Sequence, residues 1–157
     1  MKSFAGILLF GCLVLPALAL AVAPFEGSYK ANGKDAKLAY LTARKGGAFA
    51  GHPVTILVFS EKDPGNEKDP GFKAQMGDLG DALVVHLSKD GDEWDIIGTE
   101  FAHAALKHSG ASGTGILSVK DVKLAAGELS GHLFTKPGSD LFDEPLAIDL
   151  KFHVKQP

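Results

Sequence analysis

Cysteine is almost absent from this chain of 157 residues: Cys12 is the only one. It lies in the apolar N-terminal stretch, so a domain without that stretch can have no disulfide and no thiol nucleophile. Arginine is equally scarce, with Arg44 alone. Because arginine makes most bidentate contacts to phosphate, the sequence argues against phosphate recognition as a main task.

Positive charge is in short supply as a whole. The chain has 16 Lys and Arg residues against 19 Asp and Glu. Without Lys2, 15 basic side chains remain, and the net charge becomes −4. Nucleic acids and anionic membranes require clustered basic side chains, so neither is expected as a partner.

The start of the chain is rich in apolar residues. Lys2 gives a short basic start, residues 4–20 form an apolar run, and small residues suitable for signal peptidase follow. We therefore expect a signal peptide over residues 1–21 and a single domain over residues 22–157. Cleavage is expected near Ala19, Ala21 or Ala23, and Ala19 or Ala21 is favoured because Pro24 directly follows Ala23.

Two other interpretations of the leader fit less well. A retained anchor would need about 20 continuous apolar residues, and this run contains two glycines and Pro16. Lipoprotein processing at Cys12 would leave a strongly apolar new N-terminus. No stable membrane anchor is therefore expected. Since small exported eukaryotic domains usually carry disulfides, the bacterial periplasm or the culture medium is the expected location.

The dominant hydrophobic period is two, which is typical of strands with one buried face. It is clearest at the C-terminus, where Leu146, Ile148, Leu150, Phe152 and Val154 alternate with more polar residues. Eight further segments have the composition of strands: residues 25–31, 37–43, 53–60, 82–88, 95–101, 114–119, 122–124 and 128–135. Residues 54–59 and 83–85 are apolar on both faces, which predicts central or covered strands.

Turn residues separate these segments, as at Asn32-Gly33, Asp90-Gly91 and Ala126-Gly127. The sequence thus predicts an all-β fold, an antiparallel sandwich or barrel of about eight or nine strands. One short helix is expected where Phe72, Met76 and Leu79 share a helical face. Asp69 is expected to cap this helix, Pro70 to occupy its first position, and the helix to close an edge or end of the sheet.

The chain also resembles a group of uncharacterised exported proteobacterial proteins. The residues that carry the resemblance are Tyr29-Lys30-Ala31-Asn32-Gly33-Lys34-Asp35-Ala36-Lys37-Leu38-Ala39-Tyr40, Ile56-Leu57-Val58-Phe59-Ser60, Leu129-Ser130-Gly131-His132-Leu133 and Asp149-Leu150-Lys151-Phe152. The resemblance spans most of the mature chain. It implies export and a β-rich fold, and it implies no activity.

Two loops are the candidate binding sites, because binding residues concentrate on loops carried by a rigid scaffold. The first loop, expected over residues 63–71 with its short helix, would present Lys62, Glu67, Lys68 and Asp69. The second, expected over residues 104–113, would present Lys107, His108, Ser109 and Ser112. The favoured function is an exported non-enzymatic domain that binds a protein, a cell-envelope component or a small ligand.

Two alternatives stay open. His86, His132 and His153 are expected on outer strand faces, and a zinc or copper site would form if they converged. A small hydrolase ranks third, because the serine, histidine and acidic residues present show no grouping in the sequence. No cofactor is expected outside the metal alternative.

Overall fold

A computed structural model describes residues 23–157 of the chain, which form eleven strands and one short helix. The signal peptide, its cleavage positions Ala19 and Ala21, and Cys12 lie outside these residues. The elements in chain order are β1 (Phe25–Ala31), β2 (Lys34–Asp35), β3 (Tyr40–Lys45), β4 (Val54–Ser60), α1 (Pro70–Gln75), β5 (Ala82–Asp90), β6 (Glu93–Ala102), β7 (Ala111–Gly113), β8 (Leu117–Ala125), β9 (Glu128–Thr135), β10 (Asp140–Leu141) and β11 (Glu144–Lys155).

The strands form two antiparallel sheets. One has six strands in the order β2-β1-β11-β9-β8, with β10 paired to β11 beside this path. The other has five strands in the order β3-β4-β5-β6-β7. In residues 23–157 the sheets stack like a sandwich and do not close into a barrel. The prediction of an all-β fold with one short helix is confirmed.

The main core lies between the two sheets. Strand β11 shows how it is built, because its residues alternate between buried and exposed along most of its length. Phe59 of β4 links the sheets, with its ring edge-on to Phe25 of β1 at 5.5 Å and to Phe152 of β11 at 6.4 Å. These aromatic contacts join strands that are far apart in the chain.

A second, smaller core lies on the outer face of the five-stranded sheet. Val58 of β4 and Val84 of β5 pack there with Ala74 of the helix, and each is fully buried. This explains why these two strands are apolar on both faces. The expectation that they are central or covered is confirmed: both are interior strands of their sheet, and a helix, not a loop, covers them.

The helix begins as predicted, but it is oriented differently. Asp69 accepts a hydrogen bond from the Phe72 amide at 2.9 Å, and Pro70 occupies the first turn. Its buried residues are Pro70, Gly71 and Ala74. Of the predicted apolar face only Leu79 is buried, whereas Phe72 and Met76 are exposed. The helix also lies on a sheet face instead of closing an edge, because β4 and β5 need that cover.

Some strand boundaries differ from the predicted ones. β3 begins at Tyr40, three residues later than expected, and residues 114–119 and 122–124 contribute to one strand, β8. A register shift between Lys120 and Lys123 interrupts its pairing, with Asp121 at a φ of 55°. Such a bulge bends an edge strand and discourages pairing with another molecule. The short strands β2, β7 and β10 were not predicted.

Candidate functional site

The two candidate loops meet through helix α1. The first loop, residues 63–69, leads directly into the helix, and the second loop, residues 104–110, contacts its other end. Gly110 has a φ of +84°, and a Cβ atom there would lie 2.4 Å from the Gln75 carbonyl oxygen. The Gln75 side chain donates a hydrogen bond to Ser112 Oγ at 3.1 Å. We call residues 63–69, α1, Met76, residues 104–110 and Ser112 the loop–helix surface.

The chain's single arginine holds the first loop in shape. The Arg44 guanidinium, which projects from β3, donates to the carbonyl oxygens of Gly65 at 2.7 Å and Pro64 at 3.3 Å, and to that of Glu67. Asp63 accepts a hydrogen bond from the Gly65 amide at 2.8 Å. The loop is therefore fixed by its backbone, which leaves the Glu67 and Lys68 side chains exposed.

A groove of about 650 Å³ separates the first loop from the helix. It is open to solvent, and residues 63–69 form one side. Phe72, Lys73, Asp78 and Leu79 form the other. Phe72 is 54% exposed, while Leu79 is buried. The groove thus combines an apolar wall with a charged rim.

A buried carboxylate holds the second loop. Glu144 is only 6% exposed, and it accepts hydrogen bonds from the Lys107 amide at 3.0 Å and the His108 amide at 3.3 Å. Asn32 Nδ2 donates to the same carboxylate at 2.9 Å and to the Ala105 carbonyl at 2.8 Å. These bonds, led by that of the Lys107 amide, lower the pKa of Glu144 from 4.5 to about 2 despite its burial.

Two more buried polar side chains fasten the start of the second loop. Asp81 accepts hydrogen bonds from the Ala104 amide at 2.8 Å and the Lys37 amide at 2.9 Å. His103 Nδ1 accepts from the Ala105 amide at 2.9 Å, so Nε2 carries the proton that it donates to the Lys34 carbonyl at 3.1 Å. Both residues therefore stabilise the loop.

Phe142 extends the second loop's exposed surface. Phe142 is 61% exposed, and its ring lies edge-on to His108, with centroids 5.5 Å apart. Phe142 and Asp143 form the two-residue turn between β10 and β11, at φ values of 53° and 64°. A bulky residue with positive φ is strained, and such strain concentrates at functional positions.

The sequence-predicted binding residues occupy this surface in different ways. Glu67, Lys68 and Lys107 are exposed, as is Lys62 just before the first loop. Ser112 is exposed and bonded to the Gln75 side chain. Asp69, His108 and Ser109 are exposed and also bonded within the protein: to the Phe72 amide, to Glu144 and to the His103 amide. The prediction missed Phe72, Met76, Phe142 and Arg44. The exposure of Phe72 and Met76 had no signal in the sequence, because their spacing also fits a buried face.

The structure does not bring His86, His132 and His153 together. His86 is on the outer face of the five-stranded sheet, and the other two are on the opposite side of the protein, on the six-stranded sheet. Their Nε2 atoms lie 3.1, 2.7 and 2.6 Å from carboxylate oxygens of Glu100, Asp149 and Glu128 respectively. Within residues 23–157 no three His, Asp or Glu side chains are grouped to hold a metal ion.

The His86–Glu100 pair is the most buried of these three, with side chains 27% and 15% exposed. Ser112 lies opposite Glu100 on β7, and its hydroxyl accepts a hydrogen bond from the Gln75 side-chain amide. β6 therefore places the carboxylate between the imidazole and the hydroxyl. A serine hydrolase needs the imidazole between the other two groups, so these three residues do not form that arrangement.

The part of the chain that the structure describes contains no helix long and apolar enough to span a membrane. Comparison with known proteins finds no family model, no curated protein and no solved structure that matches this chain.

Proposed function

We propose that this protein is an exported, non-enzymatic binding domain that recognises a protein or an envelope component through the loop–helix surface. One observation carries the proposal: Phe72 in α1 and Met76 directly after it are 54% and 63% exposed, while other residues form the buried side of the helix. The helix covers the outer core through Ala74, and neither Phe72 nor Met76 belongs to that core.

The spacing of these two residues makes them one apolar patch. Met76 directly follows α1, and residues four apart on a helical turn are neighbours on its surface. Aromatic residues and methionine are enriched where proteins bind other macromolecules. An aromatic ring supplies contact area at little entropic cost, and methionine adapts its shape to the partner.

The two loops beside this patch are held rigidly, which favours binding. Arg44 fixes the first loop and Glu144 the second, in each case through several backbone groups. A surface whose backbone is already ordered loses less conformational entropy on association. The exposed side chains of Glu67, Lys68 and Lys107 are then available at its rim.

Export is part of the proposal. It is supported by the basic start at Lys2, the apolar run over residues 4–20 and the small residues that follow. The resemblance to exported proteobacterial proteins points the same way. The partner is then a component of the bacterial periplasm, the envelope or the medium.

The test is capture of a partner from periplasmic and envelope extracts with the immobilised domain, residues 22–157. The double variant Phe72→Ser/Met76→Ser removes the patch. The matched control Phe49→Ser/Leu124→Ser removes two other exposed apolar side chains, in the β3–β4 loop and on β8. We expect the wild type and the control to retain a partner that the patch variant loses, with all three melting at similar temperatures.

Two results would contradict the proposal. One is a partner that the patch variant retains as well as the wild type does. The other is the absence of any saturable partner in all fractions. Release of the protein by Cys12→Ser from a membrane fraction would separately contradict cleavage of the leader after Cys12.

A further inference from the structure

We propose that the groove between the first loop and α1 binds an extended chain segment that carries both basic and apolar side chains. This inference rests on the proposed function and names the chemistry of the partner. The groove supplies the two features that such a segment requires, which are unneutralised carboxylates and an accessible apolar wall.

The charge balance of the groove favours a cationic partner. Its lining includes the carboxylates of Asp63, Glu67, Asp69 and Asp78 and the cations of Lys68 and Lys73. Lys73 is bonded to Asp78 at 2.9 Å, and this bond, together with a smaller contribution from the charge of Glu67, raises the pKa of Lys73. Three carboxylates then face one lysine. The excess stays negative when Arg44, which binds the carbonyl groups of the loop, is also counted.

The carboxylate oxygens of the rim are only partly used. Asp63 and Asp69 each bind a backbone amide through Oδ1. Among the residues that the structure describes, the Glu67 carboxylate forms no hydrogen bond and no ion pair within 4.0 Å, and its interaction with Lys73 is a longer-range one. Glu67 is the rim residue whose charge can be changed without removing a bond that shapes the loop.

These carboxylates suit separate basic side chains better than a metal ion. They are spread along residues 63–69, and within residues 23–157 no three acidic or histidine side chains are grouped around one point. A metal ion needs several ligands that converge. Ammonium and guanidinium groups on a partner chain can each pair with one carboxylate.

The apolar wall supplies the second part of the recognition. Phe72 lines the groove and is 54% exposed, and Leu79 lies buried next to it. A groove of about 650 Å³ is of the size that holds small ligands or a few residues of a chain. An apolar partner side chain on Phe72 would remove both groups from water, while the neighbouring basic side chains meet the rim.

The experiment uses three fluorescein-labelled peptides of equal length, each a fourfold repeat: Lys-Phe-Gly, Glu-Phe-Gly and Lys-Ser-Gly. Binding to residues 22–157 is measured by fluorescence anisotropy. We expect the Lys-Phe-Gly peptide to bind at least about tenfold more tightly than either of the others. Its binding should weaken when the ionic strength rises from about 0.01 M to about 1 M, because the Debye length falls from about 30 Å to about 3 Å.

Two variants locate the binding. Glu67→Lys and Phe72→Ser are each expected to weaken binding of the Lys-Phe-Gly peptide about tenfold. Glu93→Lys is the matched control, because it makes the same charge change at an exposed position of the β5–β6 hairpin. It should leave the affinity within about twofold of the wild type.

Equal loss of affinity in Glu67→Lys and Glu93→Lys would overturn the inference, because binding would then follow the net charge alone. Equal binding of the Glu-Phe-Gly peptide would overturn it as well. If no peptide binds but the extract partner still depends on Phe72 and Met76, this inference fails and the proposed function stands.

Discussion

The outer faces of the two sheets differ in polarity. That of the five-stranded sheet is apolar around Val58 and Val84 and is covered by α1. That of the six-stranded sheet is polar and carries cross-strand pairs such as His132–Asp149 at 2.7 Å and Lys151–Glu26 at 3.2 Å. Within residues 23–157, α1 lies on the covered face, the first loop leads into it, and the second loop contacts its C-terminal end at Gly110. The surface proposed for binding therefore follows from the need to cover this face.

The difference also shows that the hydrophobic pattern of a strand reflects what covers each of its faces. Strand β11 alternates between apolar and polar residues, because one of its faces meets the core and the other meets water. Strands β4 and β5 lack this alternation, because both of their faces are buried. The effect of a substitution on stability should therefore depend on which sheet carries the residue, as well as on whether its side chain points inward or outward.

The largest effect is expected from a charge on the covered face. Val84→Asp buries a carboxylate under α1 with no partner, which should cost about 5 kcal/mol in the free energy of unfolding. Ala147→Asp makes the matched change on the outer face of the six-stranded sheet, opposite Lys30. It should change stability by less than about 0.5 kcal/mol. Urea unfolding of the two variants checks this, and similar costs would show that the two outer faces do not differ.

Substitutions at two neighbouring residues of β11 should differ almost as strongly in their cost to stability. Phe152 packs against Phe59 in the main core, so Phe152→Ala should cost about 3–5 kcal/mol. His153 points outward and forms an exposed pair with Glu128, so His153→Ala should cost less than about 1 kcal/mol. The melting temperatures of the two variants test this prediction. If both variants melt at the same temperature, the assigned inward and outward directions along β11 are wrong.

A smaller effect tests the contact between the helix and the second loop. Gly110→Ala places a Cβ atom against the Gln75 backbone at a φ of +84°, which should cost about 1–3 kcal/mol. At Gly47, where an added Cβ meets nothing within 4 Å, the same change should be neutral or stabilising by up to about 1 kcal/mol. Chemical denaturation of both variants measures the difference. A neutral Gly110→Ala would mean that the second loop does not lie against the helix.

The last prediction concerns a contribution to stability that is lost at acid pH. Because the pKa of Glu144 is lowered from 4.5 to about 2, its ionised form stabilises the fold above about pH 4.5. That contribution is lost as the pH falls towards 2. Glu144→Gln should therefore melt below the wild type at neutral pH and approach it as the pH falls through this range. A constant difference in melting temperature between pH 7 and pH 2 would contradict the role given to Glu144.

The sequence predicted the local parts of the candidate site better than their arrangement. Asp69 and Pro70 mark the helix start, because capping and the fixed φ of proline act within one turn. The orientation of Phe72 was not predictable, since a helical period does not tell which side meets the sheet. The roles of Arg44 and Glu144 were missed because their partners are distant in the chain: Glu144 lies 37 residues from Lys107.

The sequence by itself determined the all-β class, the inward set of β11 and the turns at Asn32-Gly33 and Ala126-Gly127, since alternation and turn chemistry are local. Tertiary structure alone decided that β11 lies between β1 and β9, that α1 covers the five-stranded sheet, and that the two loops meet at Gly110. Each of these depends on contacts between distant segments, which the packing of the whole chain selects.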